Sequence, residues 1–202
     1  MSTATAERHD VMHAIFHRRA VRAYTPETVG ENAIRELLDA AIHAPTAMHA
    51  EPWAFVVVQN KALLDRLSNR AKTMQLAELA RDGGTPPDAA VRGRLRDMLQ
   101  DPSFNIFYDA GTLIVICRDA QGPYAEADCW LAAENLMLAA YAKGLGTCCI
   151  GFAIPILNVP DVKGEIGIPP AVTAVAPMIV GYARGTVPDV PRKAPRVLHW
   201  VK

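Results

Sequence analysis

The chain has 202 residues, half of them hydrophobic, with Lys+Arg and Asp+Glu equal at 21 each. That length and apolar share suit one medium-sized domain with a substantial core and exclude a disordered polypeptide, while the charge balance argues against nucleic-acid or membrane-surface binding by bulk charge. No apolar run reaches the roughly 20 residues that span a bilayer, and "MSTATAERHD" lacks the basic and apolar regions of a secretory signal, so the expectation is a cytoplasmic protein with a disordered leader over 1–10 and a single domain over 11–202.

From about Ala6 to His17, Val11, Met12, Ile15 and Phe16 recur at helical spacing and mark the face such a helix buries. His9, His13 and His17 lie along another line of that helix; without an HExxH carboxylate they read as a solvated stripe, and no metal is expected. The pattern stops at "RRAVRAY", which packs three arginines into five positions. Arg18 and Arg22 would share a face if the helix ran on, with Arg19 pointing elsewhere. Fork-like guanidinium donors suit a multiply charged oxyanion such as a phosphate ester, although cations at a helix end also complement its dipole with no ligand at all.

A second helix follows, with Ile34, Leu37, Leu38, Ala41 and Ile42 on one stripe and Pro45 beyond its end. In "HAPTAMHAEPWAFVVV", small residues would let backbone amides and Thr46 approach a flat polar ligand; the same stretch also reads as a plain connection anchored by Trp53. Ala54 to Gln59 should be a strand covered on both faces. A helix over about Lys61 to Leu79, a surface loop at "RDGGTPPD" and an amphipathic helix carrying Val91, Leu95, Met98 and Leu99 come next. "TLIVIC" is a second buried strand. "AEADCWLAAENLMLAAYAKG" is apolar nearly all round and closes on Lys143-Gly144, as a core or interface helix would.

"GLGTCCIG" is not a dinucleotide fingerprint, since Cys149 stands where the third glycine is needed and the run follows a helix instead of a strand. "AVTAVAPMIVGYA" is extended, and Pro177 suggests an edge or a bulge. Arg192, Lys193 and Arg196 fall in a proline-rich loop that could close over the same anion as the first arginines, though basic proline loops are also ordinary surface. The four cysteines contain no CxxC pair and read as free thiols, Cys148-Cys149 being two small buried side chains. Helices and single strands alternate without repeats, which gives a mixed α/β or α+β sheet flanked by helices.

Taken in order, these motifs resemble the nitroreductase family of FMN-dependent oxidoreductases, from about Met12 to Trp200. The marks are "RRAVRAY", "APTAMHAEPWAFVVV", "AAENLMLAAYAKGLGTCCIGF", and "VGYARG" with "PRKAP" and "VLHW" downstream. The resemblance implies an α+β homodimer with a central mixed, mostly antiparallel sheet and an FMN at the subunit interface. Arg18, Arg19 and Ala20 would hold the phosphate and ribityl end, with Arg192 or Lys193 returning to the phosphate. Arg22 would lie near the pyrimidine side of the ring, Pro45, Thr46 and His49 would line its polar edge, and Cys149, Ile150 and Gly151 would pass along one face. It also implies ping-pong hydride transfer from NAD(P)H through the flavin to nitroaromatic, quinone or enone-type acceptors, with no catalytic side chain required. The alternatives are a flavin storage or sensing protein, or a specialised flavin-dependent dehydrogenase or dehalogenase. Ala20, His49 and Glu51 depart from the family's usual Ser, Asn and Gln, and the segment 71–107 is where acceptor specificity would be set.

Overall fold

A computed structural model describes residues 11–81 and 89–202. Its organising element is β2 (Thr112–Arg118), the apolar run in which successive side chains must point to opposite faces. Leu113, Val115 and Cys117 enter one core cluster, Ile114 and Ile116 the other. Antiparallel neighbours flank it, β1 (Trp53–Val58) and β4 (Thr173–Gly181), and the short β3 (Gly146–Cys149) pairs with the far side of β4, giving the order β1-β2-β4-β3.

Each face of the sheet is covered by helices whose apolar stripes match it. Leu64, Leu67 and Ala71 of α3 (Lys61–Arg81) close one side together with α6 (Ile154–Leu157), α7 (Pro160–Ile166) and Phe107. Ion pairs from Arg66 to Glu165 and from Arg70 to Asp161 tie α3 to α7. On the other side, Ile34, Leu37 and Ala41 of α2 (Glu31–Ile42) interlock with Cys129, Ala132, Ala133, Leu136 and Ala140 of α5 (Ala125–Ala142). Gly144 adopts φ 73° at the end of α5, the left-handed stop expected of Lys143-Gly144. α1 (Val11–His17) rests on α5, and α4 (Ala89–Gln100) lies beside α3. A parallel bridge between Ala20 and Thr147 joins the antiparallel ladders, so the α+β class and the mixed, mostly antiparallel sheet stand as expected.

Several local expectations need correction. β1 is the edge strand and only partly covered, with Val57 38% exposed; a continuous apolar run does not by itself distinguish an edge from a centre. β4, which carries Pro177, is interior. A bulge at Val175, between the pairs Ile116–Ala176 and Cys117–Ala174, lies two residues before the proline, which itself pairs in regular register with Val115. The Pro177 carbonyl accepts the Ile150 N–H at 2.9 Å, so its missing N–H falls on the side where β3 is ending. The stripe Val11, Met12, Ile15 and Phe16 is not buried in the single chain. Ala14 packs inward instead, leaving Val11 and Phe16 each 63% exposed. His13 and His17 stack at 4.1 Å, and among the described residues no three potential ligands cluster as a metal site would need. The leader 1–10, with His9, and the loop 82–88 lie outside the described residues. No helix among those described is long and apolar enough to cross a membrane.

The thiols leave a signature in the stability of this core. Burial, with a smaller contribution from the neighbouring Cys129, pushes Cys117 up to about 12 from an ordinary 9.0, and burial with nearby Asp128 pushes Cys129 up to about 11. Both prefer the neutral form when folded, so their contribution is complete below about pH 9 and is lost as pH rises toward the folded values, at up to about 1.4 kcal/mol per pH unit per thiol. Denaturant midpoints should therefore fall between pH 9 and pH 11, and Cys129→Ala should flatten that slope. A midpoint independent of pH in this window would contradict the buried placement.

Candidate functional site

The arginine motif lies in an extended strap. The helix ends at His17, so Arg18 and Arg22 do not share a helical face; the chain instead runs along β3 and then beside the end of β4. Val21 donates its N–H to Thr147 O at 2.9 Å, Thr25 to Tyr182 O at 2.9 Å, and Arg184 to Ala23 O at 2.9 Å. Two glycines let the strap sit this close. A Cβ on Gly146 would come within 2.6 Å of Val21, and one on Gly181 within 2.7 Å of the Tyr24 ring. Tyr24 is a buried wedge whose hydroxyl donates to Val21 O at 2.9 Å, and burial holds its proton far above the usual phenol range.

Three adjoining clefts follow the strap. The first, about 320 Å³, lies between Arg18, Arg19, Tyr141 and the Gly144 turn. The second, about 510 Å³, has Arg19, Ala20, Arg22, Arg184, Thr186 and Arg192 among its lining residues: four arginines and no acidic residue. The third, about 430 Å³, runs from Arg22 to Cys149, Ile150 and Gly151, with Ile106 and Tyr108 as its opposite wall. Arg19 borders the first two and Arg22 the last two, so the clefts lie in a row along the strap, a segmented trough.

The guanidiniums are differently committed. Arg18 donates Nε to Glu134 at 2.9 Å. Arg19 donates Nη1 to the Phe16 and Arg18 carbonyls and Nη2 to Asp189 at 2.7 Å, which leaves its Nε buried without a partner among the described residues. An orphaned buried donor of this kind costs about 1–3 kcal/mol. At the third cleft, burial and then Cys148 push the Cys149 thiol up to about 11, so it remains protonated at neutral pH and is a neutral contact, not a nucleophile. A phosphate monoester fits the second cleft and a flat apolar ring the third.

The wall of the third cleft is held from beneath. Lys72, buried in α3, donates to the Asp101 and Phe104 carbonyls at 2.6 and 2.9 Å and fixes the segment leading to Ile106 and Tyr108. Phe104 and Tyr108 meet edge to face at 5.7 Å.

The Pro45–Glu51 connection is strained. Met48, His49 and Glu51 have φ of 55°, 53° and 42°, which for non-glycine residues costs of the order of 1 kcal/mol each. Asp128, 4% exposed at the start of α5, holds the loop by accepting the Ala47 N–H at 3.2 and 3.4 Å. Met48 is left 95% exposed, with His49 and Glu51 also facing solvent.

Of the residues expected at a flavin site, the trough brings together Arg18, Arg19, Ala20, Arg22, Cys149, Ile150, Gly151 and Arg192. Pro45, Thr46, His49 and Lys193 line none of its three parts. Sequence reasoning missed Arg184, which it met only as part of "VGYARG", Tyr108, which carries no pattern of its own, and Asp128 and Glu134, whose helix read simply as apolar.

The nitroreductase family model matches residues 15–182. A protein of Methanothermobacter thermautotrophicus, provisionally named an NADH dehydrogenase/NAD(P)H nitroreductase, is 28% identical over 178 residues, covering 86% of this chain and 77% of that protein. The nitrobenzene nitroreductase of Ectopseudomonas oleovorans is 26% identical over 201 residues, 85% of this chain and 86% of its own. The crystal structure of a nitroreductase with bound FMN from Bacteroides fragilis superposes with a TM-score of 0.78 at 26% identity, covering 96% of this chain and 99% of that one.

The seat of the strap is open to a direct check. Gly146→Ala should cost about 1–3 kcal/mol in chemical denaturation, because β-branched Val21 cannot swing away while its N–H is bound to Thr147. A variant as stable as the parent would mean that the strap is not seated there.

Proposed function

The chain belongs to the nitroreductase family, and we propose on that footing that this FMN-dependent oxidoreductase carries hydride from NAD(P)H to nitroaromatic, quinone or enone-type acceptors, donor and acceptor taking turns at one open face. The observation that carries the reading is the trough: four arginines with no carboxylate at one end, the Cys149–Gly151 edge at the other, and Arg22 common to both parts. Bound FMN supplies the two-electron chemistry between nicotinamide and acceptor.

In this reading Arg18, Arg19 and Ala20 serve the phosphate and ribityl end, with Arg192 or Lys193 closing from the C-terminal segment. Arg22 is a fixed cation where negative charge accumulates on reduction, which favours the reduced state. Cys149, Ile150 and Gly151 support one ring face. Ile106 and Tyr108, held by the Lys72 anchor, form the wall against which acceptors pack. Neither a side-chain nucleophile nor a metal is required.

The same reading makes the protein a homodimer in which Pro45, Thr46 and His49 reach the flavin of the second copy. Their absence from the trough of their own chain supports this, as do the exposed apolar stripe Val11, Met12, Ile15 and Phe16 of α1 and the exposed Trp130 and Leu131 of α5, side chains that a lone chain rarely leaves open in such number. Four free thiols suit a reducing cytoplasm.

Purified protein should be yellow, bleach anaerobically with NADPH or NADH, and recover its colour with a nitroarene, quinone or enone. Protein that takes up no FMN on titration would refute the reading, and bound flavin that neither nicotinamide reduces would favour storage or sensing. Phe16→Asp should shift the mass in solution from about twice 21.9 kDa to 21.9 kDa and release flavin; an unchanged mass would refute the proposed interface.

A further inference from the structure

Four arginines border the second cleft, and they are not equally available to an anion. Arg19 already has a carboxylate partner, Asp189, and spends Nη1 on two carbonyls at the end of α1. Arg18, at the neighbouring cleft, is paired with Glu134. Each of these guanidiniums therefore faces an anion with part of its charge offset, while Ala20 between Arg19 and Arg22 offers no side-chain donor. Arg184 is placed differently. It lines the cleft, it is exposed, and among the described residues no acidic side chain forms an ion pair with it. Its backbone is fixed against the strap by the Arg184 N–H to Ala23 O bond and by the Tyr24–Ala183 bridge directly before it. Gly185 then turns the chain through φ 77°, and Thr186, Val190 and Arg192 line the same cleft beyond it.

We propose that Arg184 is a phosphate-binding residue of this site, supplying from the end of β4 a guanidinium that no neighbouring carboxylate offsets. The inference rests on the flavin reading above and adds a residue to it. Arg22 and Arg192 approach the same anion from the strap and from the returning segment, so the phosphate is gripped by three pieces of chain, and Arg184 is the contact whose backbone is bonded to the strap. Fork geometry and permanent charge suit it to a phosphate monoester more than to a neutral ligand.

The test compares FMN with riboflavin, which has the same ring and ribityl chain but no phosphate, on full-length apoprotein. Arg184→Gln should weaken FMN binding by about tenfold or more while riboflavin affinity stays within about threefold, as expected when one charge-assisted bond is lost. It should also make FMN binding less sensitive to salt, and Arg184→Lys should restore part of the loss. If the parent binds FMN better than riboflavin and Arg184→Gln keeps that full preference, the inference is wrong and the flavin reading survives. Equal weakening of both flavins would make Arg184 a structural residue and also overturn the inference. A parent chain that binds neither flavin would defeat both.

Discussion

The close approach of a side chain to a glycine, made twice, sets the geometry of this molecule. Val21 lies over Gly146 and Tyr24 over Gly181, at separations no Cβ could share, and the backbone bonds to Thr147, Tyr182 and Arg184 follow from that contact. The arginine motif is therefore an extended strip on the rim of the sheet and not a loose helix end. Because the strip runs first along β3 and then along the segment after β4, its cations lie near both the Cys149–Gly151 edge and the returning chain. The trough is a consequence of this seating, and so is the near-enclosure of Arg19.

The electrostatics follow the same division. Overall the chain is neutral, yet four arginines border a cleft without a carboxylate, while Glu134 and Asp189 pair with Arg18 and Arg19 beside it. Partly exposed pairs of this kind contribute about 0–1 kcal/mol, so they orient guanidiniums more than they stabilise the fold. Like charges gathered around one cavity repel in the absence of an anion, and the Nε of Arg19 has no partner among the described residues. The site is thus built at some cost to the fold, a cost that the proposed phosphate would relieve by neutralising the gathered charge. The loop at Met48 to Glu51 has the same character. Its left-handed backbone is held by Asp128, and the side chains it presents face away from their own core.

The helices and strands were largely legible in the sequence because each has one dominant pattern: the stripe of α2, the β-branched run of β2, the glycine stop after α5. The motifs also pointed to a flavin site, and the strap, the Cys149–Gly151 edge and Arg192 do meet. The failures share a cause, since pattern reports how apolar a segment is and not what covers it. The α1 stripe reads as core yet faces outward in the single chain, and the β1 run reads as covered on both faces yet is only partly covered, at the edge of the sheet. Single residues with a decisive place but no periodicity were out of reach. Arg184, Asp128 and Lys72 acquire meaning only from the neighbour that the fold brings to them, respectively Ala23, Ala47 and the 101–104 turn.

The central claim is that arginines from the strap and from the chain after β4 surround one phosphate dianion. Phosphorus NMR of the FMN-loaded protein tests it most directly, because the phosphate of free FMN gains its second proton near pH 6 and its resonance moves as it does. Enclosure by guanidiniums predicts a bound resonance that stays at the dianion position through that range and shifts only at distinctly lower pH. A bound phosphate that titrates as the free one does would contradict the account.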